Sequence, residues 1–194
     1  MSIVIGYCNS TYALIMSDSR MSKFNEGGRV AIPYDENYKK FRIMNQTVRI
    51  GFAGEALSTS RLVASLPSDA EHNVDSYVNM LLVRKHELDN SILPIHFIIV
   101  GLDSDHCMSI ASLSSKDDYS VEKLQPKPGQ VGYKVALPFS TNDFQAEVTK
   151  EIEAIIGSSR TNNDLKNGVA SIIKNVARCD ATVNAIIRGS EVIL

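Results

Sequence analysis

The 194-residue chain lacks any C-x-x-C pair, and its three cysteines, Cys8, Cys107 and Cys179, stand far apart. A zinc ribbon and a thioredoxin-type redox site both need paired thiols, so both are excluded. Charge of one sign is also missing. Twenty basic residues face twenty-two acidic ones, which points to neither nucleic acid nor an anionic membrane as partner. The strongly apolar stretches, such as Ala13–Met16 and Phe97–Val100, fall far short of the ~20 residues that span a bilayer. No basic stretch leads into an apolar run near the N-terminus, so no signal peptide is expected and a cytoplasmic location is. The four histidines, His72, His86, His96 and His106, form no H-E-x-x-H or comparable pair. P-loop, G-x-G-x-x-G and G-x-S-x-G motifs are absent too, which removes the usual grounds for phosphoryl transfer, dinucleotide chemistry or an α/β-hydrolase. No metal and no cofactor is expected.

What is present is ordinary in amount: 44% apolar and 22% charged residues. These proportions exclude a disordered tail, a collagenous repeat and a coiled-coil rod, and the length suits one domain spanning residues 1–194. Ile3–Cys8 and Tyr12–Ser17 read as strands of a hairpin around Asn9-Ser10. The segment Met21–Tyr38, with Gly27-Gly28 and Pro33, reads as a loop. Phe41–Ile43 and Val48–Phe52 make another strand pair. Leu57, Leu62 and Leu66 lie at helical spacing up to Pro67, and Val74, Tyr77, Val78, Leu81, Leu82 and Leu88 repeat at three and four. Ile95–Leu102, Met108–Leu113 and Tyr119–Leu124 read as strands, parted by Asp103-Ser104-Asp105 and Ser114-Ser115-Lys116. The run Asp103–His106 reads as a polar turn, since it has neither the glycine nor the final glutamate of a calcium loop. Two more helices follow, one from Phe144 to Ile156 and one from Leu165 to Val176 with Thr161 or Asn162 as its cap. A last strand is expected at Thr182–Ile187. This order fits an α+β layered domain with helices outside two sheets.

The N-terminus carries the chemistry. Ser2 follows Met1, and a small second residue favours removal of the initiator. Ser2 would then bear a hydroxyl and a free α-amine. Such an amine has a pKa near 7.7–8.0, so at neutral pH a useful fraction is a base, and a hydroxyl beside it is an activated nucleophile. Further along stand Ser17-Asp18-Ser19-Arg20-Met21-Ser22, Lys39-Lys40-Phe41-Arg42-Ile43 and Gly51-Phe52-Ala53-Gly54.

This ordered set resembles the proteasome-type N-terminal-nucleophile peptidases, the proteasome β subunits and bacterial HslV. In these a terminal Thr or Ser opens a strand, the hairpin ends in Asp-x-Arg, a Lys begins a K-x-F-x-I strand, and an A-G pair closes the next. Asp18 follows Ser2 at the family's spacing. The resemblance implies a four-layer αββα fold and roles residue by residue. Ser2 would attack the scissile carbonyl. Lys39, placed by Phe41 and Ile43, would be the cation beside it, or Lys40 if the register shifts by one. Asp18 would fix that lysine, and Gly54 would lend its N–H to the oxyanion. Ser22 and Gly54 would hold the substrate strand, while Met21, Phe52 and Ala56 would line a shallow pocket for the side chain before the cut. Ser140, in Pro138–Asp143, stands where the family has a G-S-G serine, and Asp180, in Cys179–Thr182, where it has the aspartate of D-x-x-S-G. Both elements lack the glycines here.

The resemblance thus implies a peptidase of the proteasome/HslV type, acting on peptides or unfolded proteins within a homo-oligomeric ring, with an ATP-dependent unfoldase as a possible partner. A non-catalytic shell or binding subunit on the same fold is the alternative, and a small-molecule amidase a third.

Overall fold

The protein is described here by a computed structural model covering residues 2–24, 31–89, 91, 93–138 and 140–194. Eleven strands and four α-helices are described along it. Strands β1 (Val4–Asn9) and β2 (Tyr12–Asp18) form the expected hairpin. Asn9 closes it by accepting hydrogen bonds from the N–H groups of Thr11 and Tyr12. With β10 (Val131–Ala136) and β11 (Ile187–Ile193) they make a four-stranded antiparallel sheet ordered β10-β1-β2-β11. The second sheet runs β5 (Phe41–Ile43), β6 (Val48–Ala53), β7 (His96–Leu102), β8 (Met108–Ser114) and β9 (Val121–Leu124), also antiparallel.

Helices α1 (Ala56–Ser65) and α2 (Val74–Arg84) cover the five-stranded sheet, while α3 (Asn142–Ser158) and α4 (Asn162–Cys179) cover the other. The layers are αββα, and three apolar cores fill the gaps. Ile3, just before β1, and Ile5, Tyr7, Tyr12, Leu14 and Met16 along β1 and β2 face α3 and α4. The alternate residues Val4, Cys8, Ala13 and Ile15 meet Ile98, Val100 and Ile110 between the sheets. Strands buried on both faces have no polar alternation, which is why these read as continuous apolar runs. The sheets approach so closely at Gly6 that a Cβ there would lie 2.5 Å from Ile98 Cγ2. Cys8 is buried at this interface, and burial pushes its thiol pKa up to about 12, so it packs as an inert hydrophobe.

Caps fix the helices. Thr161, rather than Asn162, caps α4 in a reciprocal capping box with Asp164, Thr141 caps α3, Asn73 caps α2 and Glu55 caps α1. Asp103 turns the β7–β8 connection, accepting from the N–H groups of Asp105 and Cys107.

Three expectations need correction. The Met21–Tyr38 segment is not all loop: β3 (Met21–Phe24) and β4 (Ala31–Asp35) pair antiparallel, although Gly27-Gly28 between them fall outside the described residues. Strand β10 was not expected, because Pro126, Pro128 and Gly129 before it mask a short strand. The last strand begins at Ile187 rather than Thr182, because Thr182 is held in a turn by Asp180 and Asn184 turns inward to Ser19 and Glu36.

Candidate active site

Ser2 immediately precedes β1 and is 8% exposed. Strand pairing carries β2 to Asp18, whose N–H donates to the Ile3 carbonyl at 3.3 Å. The Asp18 carboxylate is fully buried and accepts from three directions. Its Oδ1 takes the Ile3 N–H at 3.0 Å, its Oδ2 the Arg20 N–H at 3.1 Å, and the Lys40 Nζ reaches both oxygens at 2.6 and 2.7 Å. One carboxylate therefore holds the peptide group just after Ser2 and a buried ammonium together.

That ammonium belongs to Lys40, which is 2% exposed, and not to Lys39, which is exposed. The Lys40 carbonyl accepts the Phe52 N–H at 2.9 Å, so residue 40 already runs alongside β6. Neighbouring side chains on an extended backbone point opposite ways, and only one of two adjacent lysines can turn inward. The spacing of Phe41 and Ile43 misplaced the register because it is not an inward stripe: Ile43 is 56% exposed. Burial lowers the pKa of Lys40 below its ordinary value, with Asp18 acting against that shift, Arg20 adding to it, and Asp180 also favouring the charged form. An ammonium whose charge is opposed by burial and stabilised by one carboxylate is a strong local donor.

A second network braces this end of the sandwich. Arg20 pairs with Glu36 (Nη2–Oε1 3.0 Å, Nε–Oε2 3.1 Å) and donates to the Ala181 carbonyl. Asn184 donates to Glu36 Oε2 at 2.7 Å and accepts from the Ser19 N–H at 3.0 Å. The end of β2, the segment before β5 and the turn after α4 are thus tied together around Asp18. Sequence reasoning noted Arg20 only as part of a motif and missed Glu36 and Asn184. Nothing but their distance along the chain hides them.

Gly54 follows β6 at φ +110°, where a Cβ would lie 1.8 Å from the Pro94 carbonyl oxygen, so only glycine fits. Of the expected pocket residues, Met21 and Phe52 are buried and Ala56 is half-buried at the start of α1. Ser22 Oγ is buried and has no hydrogen-bond partner among the described residues. Ser140 donates to the Leu137 carbonyl at 2.8 Å in the turn before α3. Because Ala136 pairs with Val4, that turn leaves the sheet at the end where Ser2 lies. Asp180 ends α4 and accepts from the N–H and hydroxyl of Thr182. Met1 and Phe139, which belong to the same expectations, lie outside the described residues.

Among the described residues, no group of three or more His, Cys, Asp or Glu side chains is placed to hold a metal ion, and no helix is long and apolar enough to cross a membrane.

No family model and no curated protein sequence matches the chain. Solved structures do. The crystal structure of eukaryotic HslV from Trypanosoma brucei superposes with a TM-score of 0.63, covering 99% of both chains at 12% sequence identity. The fold is that of the proteasome/HslV type, shared end to end with almost no shared sequence.

Proposed function

We propose that residues 1–194 form one catalytic unit, a peptidase with Ser2 as its N-terminal nucleophile. The observation that carries this reading is the single carboxylate of Asp18, shared between the Ile3 N–H and the Lys40 ammonium. Removal of Met1 frees the Ser2 α-amine. Ser2 Oγ attacks the scissile carbonyl and its proton passes, directly or through a water, to that amine. Lys40 favours the alkoxide and, by its charge, keeps the amine neutral. The Gly54 N–H receives the oxyanion, an interaction worth ~3–4 kcal/mol in hydrolases. The amine returns the proton to the departing nitrogen, leaving an ester on Ser2. Water, deprotonated by the same amine, then cleaves the ester. Ser22 and Gly54 hold the substrate strand by main-chain hydrogen bonds. Ser140 and Asp180 support the nucleophile's amine, Asp180 through its field on Lys40.

Peptides or unfolded chains are the substrates, and the working form is a cytoplasmic homo-oligomeric ring that encloses the sites, fed by an ATP-dependent unfoldase. The end-to-end likeness to HslV supports the ring. The near-balanced charge supports the absence of nucleic-acid and membrane partners. A second reading, a catalytically silent shell subunit, draws on the glycine-free elements around Ser140 and Asp180.

Hydrolysis of a fluorogenic peptide library by the purified protein and by Ser2→Ala separates the two. The peptidase reading expects turnover lost in Ser2→Ala with ring size unchanged. Equal turnover in both proteins removes Ser2 as the nucleophile, and no turnover in either removes the peptidase and leaves the shell.

A further inference from the structure

Tyr38 is a large side chain of the site region with no role in the chemistry above, and its position is fixed from three sides. Its N–H donates to the Ser19 carbonyl at 2.8 Å, just past Asp18. Its hydroxyl donates to the Ala56 carbonyl at 2.9 Å, in the first turn of α1, where the Ser60 side chain also meets it. Its ring stands edge-on to Phe52, with centroids 6.5 Å apart and planes at 76°. The side chain therefore crosses from the strand end that carries Asp18 to the helix start that follows Gly54. These are the two rails between which a substrate strand is held in the reading above.

The crossing is rigid. Residue 36, two before Tyr38, is held by Arg20 and Asn184, residue 37 accepts from Arg188 at 3.1 Å, and residue 40, two after it, is the buried lysine. The phenol is thus tethered at both ends beside Phe52 and Ala56, two of the residues assigned above to the pocket for the side chain before the cut.

Resting on the peptidase reading, we propose that Tyr38 closes the pocket lined by Met21, Phe52 and Ala56, making the enzyme selective for peptides with a small residue (Gly, Ala or Ser) immediately before the cleaved bond. A hydrophobic pocket discriminates by one or two carbons through about 10–200-fold in kcat/KM, and a filled one excludes larger groups at least as strongly.

The test compares peptides differing only at that residue. Wild type should cleave the Ala peptide at least about tenfold faster in kcat/KM than the Leu or Phe peptides. Tyr38→Ala should raise kcat/KM for the Leu peptide by about tenfold or more, and Tyr38→Phe, which keeps the ring, should keep the wild-type order. A wild type that prefers Leu or Phe overturns the proposal without any variant, even if Tyr38→Ala fails to fold. So does a folded Tyr38→Ala with an unchanged Ala-to-Leu ratio. Cleavage with the wrong preference overturns only the role of Tyr38, whereas no cleavage of any peptide overturns the peptidase reading and this inference with it.

Discussion

Among the described residues, two buried cations serve the sandwich, and the fold treats them differently. Arg49, 8% exposed, sits toward the end away from Ser2 and donates to the carbonyls of Asn45, Gln46, Val48 and Glu191 and to the Ser190 hydroxyl. All its described partners are neutral, and they stitch β6 to β11 across the two sheets. Lys40, 2% exposed, has both described hydrogen bonds of its ammonium on the single carboxylate of Asp18. An ammonium carries three donors, so the two described bonds to Asp18 leave capacity for a third. Arginine spread over backbone acceptors is a fastener. A lysine held by one buried acid at the start of a strand is costly for stability alone and makes sense as a poised charge.

The largest effect should come from breaking the buried pair. Lys40→Met leaves Asp18 buried with only backbone donors, and urea unfolding should report a loss of about 3–5 kcal/mol, with hydrolysis abolished in the fraction that remains folded. Retained activity would place the working cation elsewhere. Arg49→Met should come next in stability, losing about 2–3 kcal/mol as buried carbonyls lose a charged donor, yet its folded fraction should keep wild-type kcat/KM. If Arg49→Met abolished turnover in folded protein, the division between fastener and poised charge would fail.

A pH profile sharpens the same contrast. Activity needs the Ser2 amine neutral, and the Lys40 charge disfavours its protonation, so activity should rise at a pH below the ~7.7–8.0 of a free α-amine. It also needs the Lys40 ammonium, which is present below its pKa and lost above it. Because burial sets that pKa below the ordinary lysine value of 10.5, the alkaline limb should fall at a lower pH than a free lysine would give. A plateau reaching 10.5 would contradict it. The smallest effect belongs to Lys39→Ala. An exposed lysine beside the buried one should change stability by no more than about 0.5 kcal/mol and leave turnover intact.

The contrast also explains what could be read from the sequence. The hairpin to Asp18 and the pair of helix layers follow from local periodicity and turn residues, whereas Ser2 follows from its hydroxyl beside a chain terminus, and Asp18 and Gly54 become candidates only through the family resemblance of the ordered motifs. Which of Lys39 and Lys40 points inward follows from none of these, because that depends on a pairing with Phe52 that only the second sheet provides. The Arg20–Glu36–Asn184 brace joins residues up to 164 positions apart along the chain and has no local signature. The start of β11 was misjudged for the same reason: Thr182–Asn184 is β-like in composition but its polar groups are already engaged by Asp180, Ser19 and Glu36.

The central claim is that Asp18 and Lys40 activate Ser2. Intact-mass and fragment analysis after reaction with an electrophile selective for N-terminal hydroxyl–amine pairs tests it most directly. The account predicts a wild-type chain that has lost Met1 and carries one adduct on Ser2, with no adduct on Ser2→Ala or Lys40→Met and full labelling of Lys39→Ala. A wild type that keeps Met1, or an adduct that survives in Ser2→Ala, would contradict it.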